Sequence, residues 1–219
     1  MNIEWSDLNK KMQLQIKKKS TFYEGIDTLL ELRKELMKEI VSLKEALNRE
    51  DFNAMPFINA KGYHNKTIAY SLYHIFRIED IVSNSLIKKR EQVFFKDNYN
   101  EKVKSPIITT GNELIKQEIS VFSSKLNLDE LYNYIKAVDV STTQLLKELS
   151  YEDLKIKMTE RDKEIVKSLK VVSEADNAFW LIDYWCDKNI QGLIQMPLSR
   201  HWIMHIEASL RIKNKIYKC

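Results

Sequence analysis

The chain is short of the residues that interrupt helices, with four glycines and three prolines in 219 residues. Its body is rich in Leu, Ile, Lys and Glu, which favour helix or tolerate it, so an all-α protein is expected. Two cysteines, Cys186 and the terminal Cys219, make no disulfide framework and share no metal-ligand spacing. Cys186 lies among Trp180, Leu181, Ile182, Tyr184 and Trp185 and reads as a buried reduced thiol, whereas Cys219 reads as frayed and exposed. No stretch approaches the roughly 20 apolar residues of a membrane span. The opening Met-Asn-Ile-Glu-Trp-Ser-Asp lacks the basic lead and apolar core of a signal peptide, so a cytoplasmic location is expected.

Neither charge sign dominates. The 35 basic and 31 acidic residues are mixed along the sequence and leave a net +4, the pattern of a soluble surface rather than of a nucleic-acid groove. The densest basic run, Lys10-Lys11 followed by Lys17-Lys18-Lys19, is interrupted by Met, Gln, Leu and Ile and reads as the solvated face of an N-terminal helix. Tyr70, Tyr73, Trp180, Trp185 and Trp202 are not interleaved with a basic stripe, so they read as core or pocket walls rather than base-stacking platforms.

Four segments carry helical periodicity. Residues 20–48 place Leu29, Leu32, Leu36, Ile40, Leu43 and Leu47 at i, i+3/i+4 spacing, and residues 67–88, 129–149 and 198–216 repeat the pattern. Asn65 or Thr67 is the N-cap expected for the second helix. Pro56 and Gly62 mark a loop over 51–66, the periodicity weakens over 89–112, and 113–124 reads as a further helical piece. A charged amphipathic segment follows over 150–170, an aromatic one over 173–186, and 189–197 reads as a connection. No repeat, low-complexity tract or linker divides the chain, so residues 1–219 read as one helical bundle.

The chain has four histidines, and two of them, His201 and His205, stand four residues apart in an apolar segment. On a helix that spacing projects both imidazoles from one face. A useful metal site needs a third protein ligand with a position left open, and His74, within another apolar periodic run, is the best candidate. Imidazole suits Zn, Ni, Cu and Fe, whereas Mg or Ca would call for carboxylates. The plainer reading of an isolated histidine in an apolar stripe is a hydrogen-bonded core residue; two such rings on one buried helix favour a shared ion instead. His64, ten residues before His74, reads as a surface or capping residue, and Arg200 as an exposed helix-start arginine that could orient an anionic substrate. Glu79, Asp80 and Glu207 lie near the motifs but read as solvated, so no general base is assigned.

A long first helix, then Thr67-Ile68-Ala69-Tyr70-Ser71-Leu72-Tyr73-His74-Ile75-Phe76-Arg77-Ile78-Glu79-Asp80, then a last helix with His-x3-His, resembles the DinB-like (YfiT-like putative metal-dependent hydrolase) superfamily. The resemblance implies an up-and-down four-helix bundle, commonly a homodimer, with His74, His201 and His205 binding Zn or Ni. Against that core, residues of about 89–112 and 150–195 look like insertions. It also implies a metal-dependent transferase using a low-molecular-weight thiol, or a hydrolase, acting on a small-molecule substrate. The alternatives are a non-catalytic dimeric bundle with a structural or regulatory metal and, on the family name alone, a DNA-damage-related nucleic-acid binder.

Overall fold

Among residues 2–217, which the computed structural model describes, every regular element is helical; the isolated β-bridge there joins Lys157 to Asn189. Cys219 lies outside the described residues. Helix α1 (Ile3–Gln15) starts at Asn2, whose side-chain oxygen accepts the Trp5 N–H at 3.2 Å. Lys10, Lys11 and Lys17 to Lys19 are exposed, as the interrupted basic run implies. Helix α2 (Phe22–Ala46) buries Leu29, Leu32, Leu36, Ile40 and Leu43. Gly25 lets the end of α1 lie against it, since a Cβ there would fall 2.8 Å from the Ile16 backbone nitrogen.

Helix α3 (Ile68–Asp80) is buried along its whole length and starts at Thr67, whose hydroxyl accepts the Tyr70 N–H at 3.1 Å. Of the two cap residues expected, Thr67 performs the role, worth about 1 kcal/mol. The helix runs on as a π-helical stretch, Ile81–Ile87. The irregular region that follows holds α4 (Val93–Lys96) and α5 (Tyr99–Lys102), and then come α6 (Gln117–Lys125) and the long α7 (Leu128–Glu148). Beyond it lie α8 (Glu160–Ser168), whose Thr159 and Asp162 form a capping box, and α9 (Asp176–Cys186). The 189–197 segment is no simple connection. It forms α10 (Ile190–Gln195) and a π-helical turn, Met196–Arg200, leading into α11 (His201–Tyr217). Sequence periodicity missed α10 because six residues hold too few turns to show a stripe.

Helices α2, α3, α7 and α11 pack as a ring: α3 touches α7 and α11, and α2 touches the same two. Two apolar clusters lie along them. One gathers Leu36, Ile40, Phe76, Ile135, Val138 and Trp202; the other gathers Leu29, Ile78, Leu145, Leu181, Trp185 and Leu198. At the seam between them sits a buried polar layer. Arg33 of α2 makes paired bonds to Glu79 of α3 at 2.9 and 2.7 Å, reaches Asp139 of α7 at 2.7 Å, and donates to the Leu198 carbonyl at 3.2 Å. Trp202 of α11 donates to Glu79 at 2.7 Å while its ring lies 4.2 Å from the Arg33 guanidinium carbon. One network thus ties together all four helices through charge-assisted bonds.

Candidate metal centre

His74 lies on an α3 stripe of period four: Lys66 just ahead of the helix, then Tyr70, His74 and Ile78. The π-helical turn and α11 together supply a matching stripe of Pro197, His201 and His205. Because four residues nearly complete a helical turn, each stripe points in one direction, and the packing of α3 on α11 brings the two face to face. Pro197 lacks an N–H and cannot continue an ordinary α-helical ladder. The chain passes it through the π-helical turn, in which the His201 N–H bonds back to the Met196 carbonyl. Such turns recur at functional sites because they re-aim the residues that follow.

The three rings meet. Centroids are 5.0 Å apart for His74 and His201, 4.9 Å for His74 and His205, and 4.6 Å for His201 and His205. Their donor nitrogens all lie within 4.8 Å of one another, a spread that ring rotation about the broad χ2 torsion spans. His74 Nε2 and His201 Nε2 are 3.2 Å apart. With metal–nitrogen bonds of about 2.0–2.1 Å, a tetrahedral ion spaces its nitrogens roughly 3.3–3.4 Å apart, so that pair already has nearly the required separation.

The surroundings fix the protonation of His74. Its Nδ1 is 2.8 Å from the Thr110 carbonyl, which can only accept, so Nδ1 carries the proton and Nε2 presents its lone pair. Gly111 turns the backbone there at φ +80, and its own carbonyl accepts from the Tyr70 hydroxyl at 3.0 Å. Burial pushes the His74 pKa down to about 4, opposed by the bond to Thr110. Burial also holds His201 and His205 well below the ordinary imidazole value, with the neighbouring rings adding to the effect. All three are neutral near pH 7, the state a ligand needs. Among the described residues the buried Nδ1 atoms of His201 and His205 have no hydrogen-bond partner. The convergence of one nitrogen from each of three buried rings is a donor set that suits a transition-metal ion.

The site opens on a cavity of about 430 Å³. Tyr63, Tyr70, Trp180 and Tyr184 supply aromatic wall, Met196 and Met204 soft apolar wall, and Lys66 and Asn112 the polar groups beside the histidines. Trp180 is half exposed, at 50%, and Trp185 is buried.

Other candidate residues fall elsewhere. His64 is half-buried, its ring 4.0 Å from that of Tyr63, and it lines a different cavity with Arg211 and Glu207. Arg200 is exposed. Glu79 and Asp80 are not solvated: both are fully buried. Glu79 belongs to the Arg33 network, and Asp80 accepts the Val93 and Phe94 N–H groups at 2.9 Å each, together with the Tyr134 hydroxyl. Glu207 accepts the Asn2 backbone N–H. Cys186 is only partly buried, and desolvation pushes its thiol up to about 11. Sequence reasoning overlooked Thr110, Lys66 and Asn112. Thr110 acts through its carbonyl and carries no side-chain signal, and Asn112 sits in an aperiodic stretch. Lys66 could have been found, standing just ahead of the helix at the same four-residue spacing as Tyr70 and His74. No family model matches the chain, and no curated protein matches it.

Proposed function

We propose that His74, His201 and His205 bind one transition-metal ion, Zn or Ni, and that the protein is a DinB-like metal-dependent enzyme of the thiol-transferase or hydrolase type. The observation that carries the reading is three neutral imidazoles with donor atoms within 4.8 Å of one another, opening on a walled cavity. An ion held there supplies Lewis-acid chemistry, making a thiol or water nucleophilic near neutral pH and polarising an electrophile. The protein's part is position and exclusion. Thr110 holds His74 in the ligating tautomer, α11 presents the other two rings from one face, and the aromatic walls displace water from a small-molecule substrate. The acids near the motifs serve structure: Glu79 and Asp80 are saturated by Arg33, Trp202, Asn84 and backbone N–H groups, and Glu207 holds the N-terminal segment.

The four mutually packed helices support the up-and-down four-helix bundle that the resemblance implies, with the segments around 89–112 and 150–195 added to it. Exposed Phe179 and Trp180 on α9 support self-association as a homodimer. The cavity favours catalysis over a closed structural metal, which would need a fourth protein ligand. The test is elemental analysis of purified protein, followed by assay of the loaded form with low-molecular-weight thiols and electrophilic or hydrolysable substrates. One equivalent of Zn or Ni with thiol-dependent turnover supports the reading; a metal-free protein that takes up no ion overturns it.

A further inference from the structure

Among the described residues Lys66 is the one formally charged residue lining the cavity, and no acid lines it. Half-buried, its Nζ lies 5.0 Å from the centroid of the Tyr70 ring. Tyr70 stacks at 12° on His74, with centroids 5.4 Å apart, which places the ammonium within about 10 Å of the His74 ring. The buried cations elsewhere have acids: Arg33 has Glu79 and Asp139, and Arg77 has Asp80. Among the described residues Lys66 has none within ion-pair reach, and burial alone pulls its pKa down. Glu113, whose charge reaches the Tyr70 hydroxyl, is engaged by Thr109 and stands outside the cavity wall. An ammonium half removed from water, with three donors and one aromatic face, is a costly arrangement until an anion arrives.

Asn112 adds a second point of contact. Its side-chain oxygen accepts from the Thr110 hydroxyl at 2.9 Å, which leaves the amide N–H groups for a ligand. We propose that Lys66 is the seat for the anionic end of the substrate, and that the cavity takes a flat apolar acid whose body lies against Tyr70, Trp180 and Tyr184. The other end of such a molecule falls at the three histidines. That last point rests on the metal-site reading above, whereas the anion seat does not. The ligand class is an aromatic or similarly flat carboxylate, sulfonate or phosphate.

The test is calorimetric titration with 2-naphthalenesulfonate and, as the uncharged comparison, 2-naphthalenemethanol. Both are run on zinc-loaded and on chelator-treated full-length protein. The sulfonate is expected to bind about tenfold tighter than the alcohol in both forms, the factor that one charge-assisted contact produces. Lys66→Met should abolish that preference while leaving alcohol affinity and zinc content unchanged and without lowering the melting temperature, and Lys66→Arg should keep it. Equal binding of the two probes by the wild type, binding of neither, or a preference that survives Lys66→Met would overturn the proposal. Because the preference is also read without metal, a protein that holds no zinc sinks the metal reading and leaves the anion seat standing. Loss of the preference with zinc retained does the reverse.

Discussion

Trp202 donates its indole N–H to Glu79 at 2.7 Å, and it is the residue directly after His201. The bond links α11, one residue past its first ligand, to the same α3 that carries His74, through a carboxylate already held by Arg33. Glu79→Gln is therefore expected to lose about 3 kcal/mol of stability by urea denaturation, the lower end for a broken buried pair, because Asp139 still faces Arg33. Metal affinity should fall with it, because α3 and α11 carry the three ligands. A Glu79→Gln protein with wild-type stability would mean that the network contributes nothing to the register of α3 and α11.

The three histidines should behave as a unit. Replacing His74, His201 or His205 singly with Ala should strip most of the bound metal, while His64→Ala, behind Tyr63 on another cavity, should leave it nearly intact. Ion binding adds roughly 2.7 kcal/mol at a hundredfold excess over its dissociation constant. Chelation should then lower the melting temperature of the wild type and scarcely move that of the triple mutant. Retention of metal by the His201 and His205 variants would refute the site.

Acid should act on the same rings. Their pKa values are depressed in the folded state, to about 4 for His74, so below pH 6.5 the unfolded chain binds more protons than the native one. Stability of the metal-free protein should consequently fall as pH drops from about 6.5 toward 4, by at most about 1.4 kcal/mol per pH unit for each ring. Metal affinity of the native protein should hold to lower pH and decline only as pH approaches about 4, where protons begin to compete for His74. The triple Ala variant should show a flatter profile by thermal denaturation across pH 4–8; an identical slope would mean that these rings do not titrate as buried groups.

The proposed self-association is tested at α9, where Phe179 and Trp180 are 38% and 50% exposed. Sedimentation at tens of micromolar should show a dimer, and Trp180→Ser should shift it toward monomer. A single monomeric species for the wild type would count against the homodimer.

How much of this was legible depended on the period of the signal. The long helices announced themselves because α2, α7 and α11 each repeat an apolar stripe over several turns, and His201 and His205 share a face on any helix. The bonds that complete the site were invisible for physical reasons. Thr110 contributes a carbonyl, which every residue has, and the partners of Glu79 come from α2 and α11, at sequence separations of 46 and 123. Glu79 and Asp80 were misread as solvated because a charged pair at the end of a helix is usually exposed, and only tertiary packing supplies Arg33, Val93 and Phe94 as partners.

Gly111 offers the most local test of how the site is held. Its φ of +80 is a conformation that a side chain resists, and an added Cβ would stand 3.1 Å from Tyr70 Cε2. Relief of either strain shifts the neighbouring peptide, whose Thr110 carbonyl holds His74 Nδ1–H at 2.8 Å. Gly111→Ala should therefore cost about 1–3 kcal/mol in stability. It should also weaken metal binding about tenfold or more, by freeing His74 to rotate or change tautomer. Gly62→Ala is the control, with φ +65 but open space around the position and no bond to a ligand. It should lose comparable backbone stability without the loss in metal affinity. Equal effects of the two substitutions on affinity would show that Thr110 does not orient His74, whatever the distance between them.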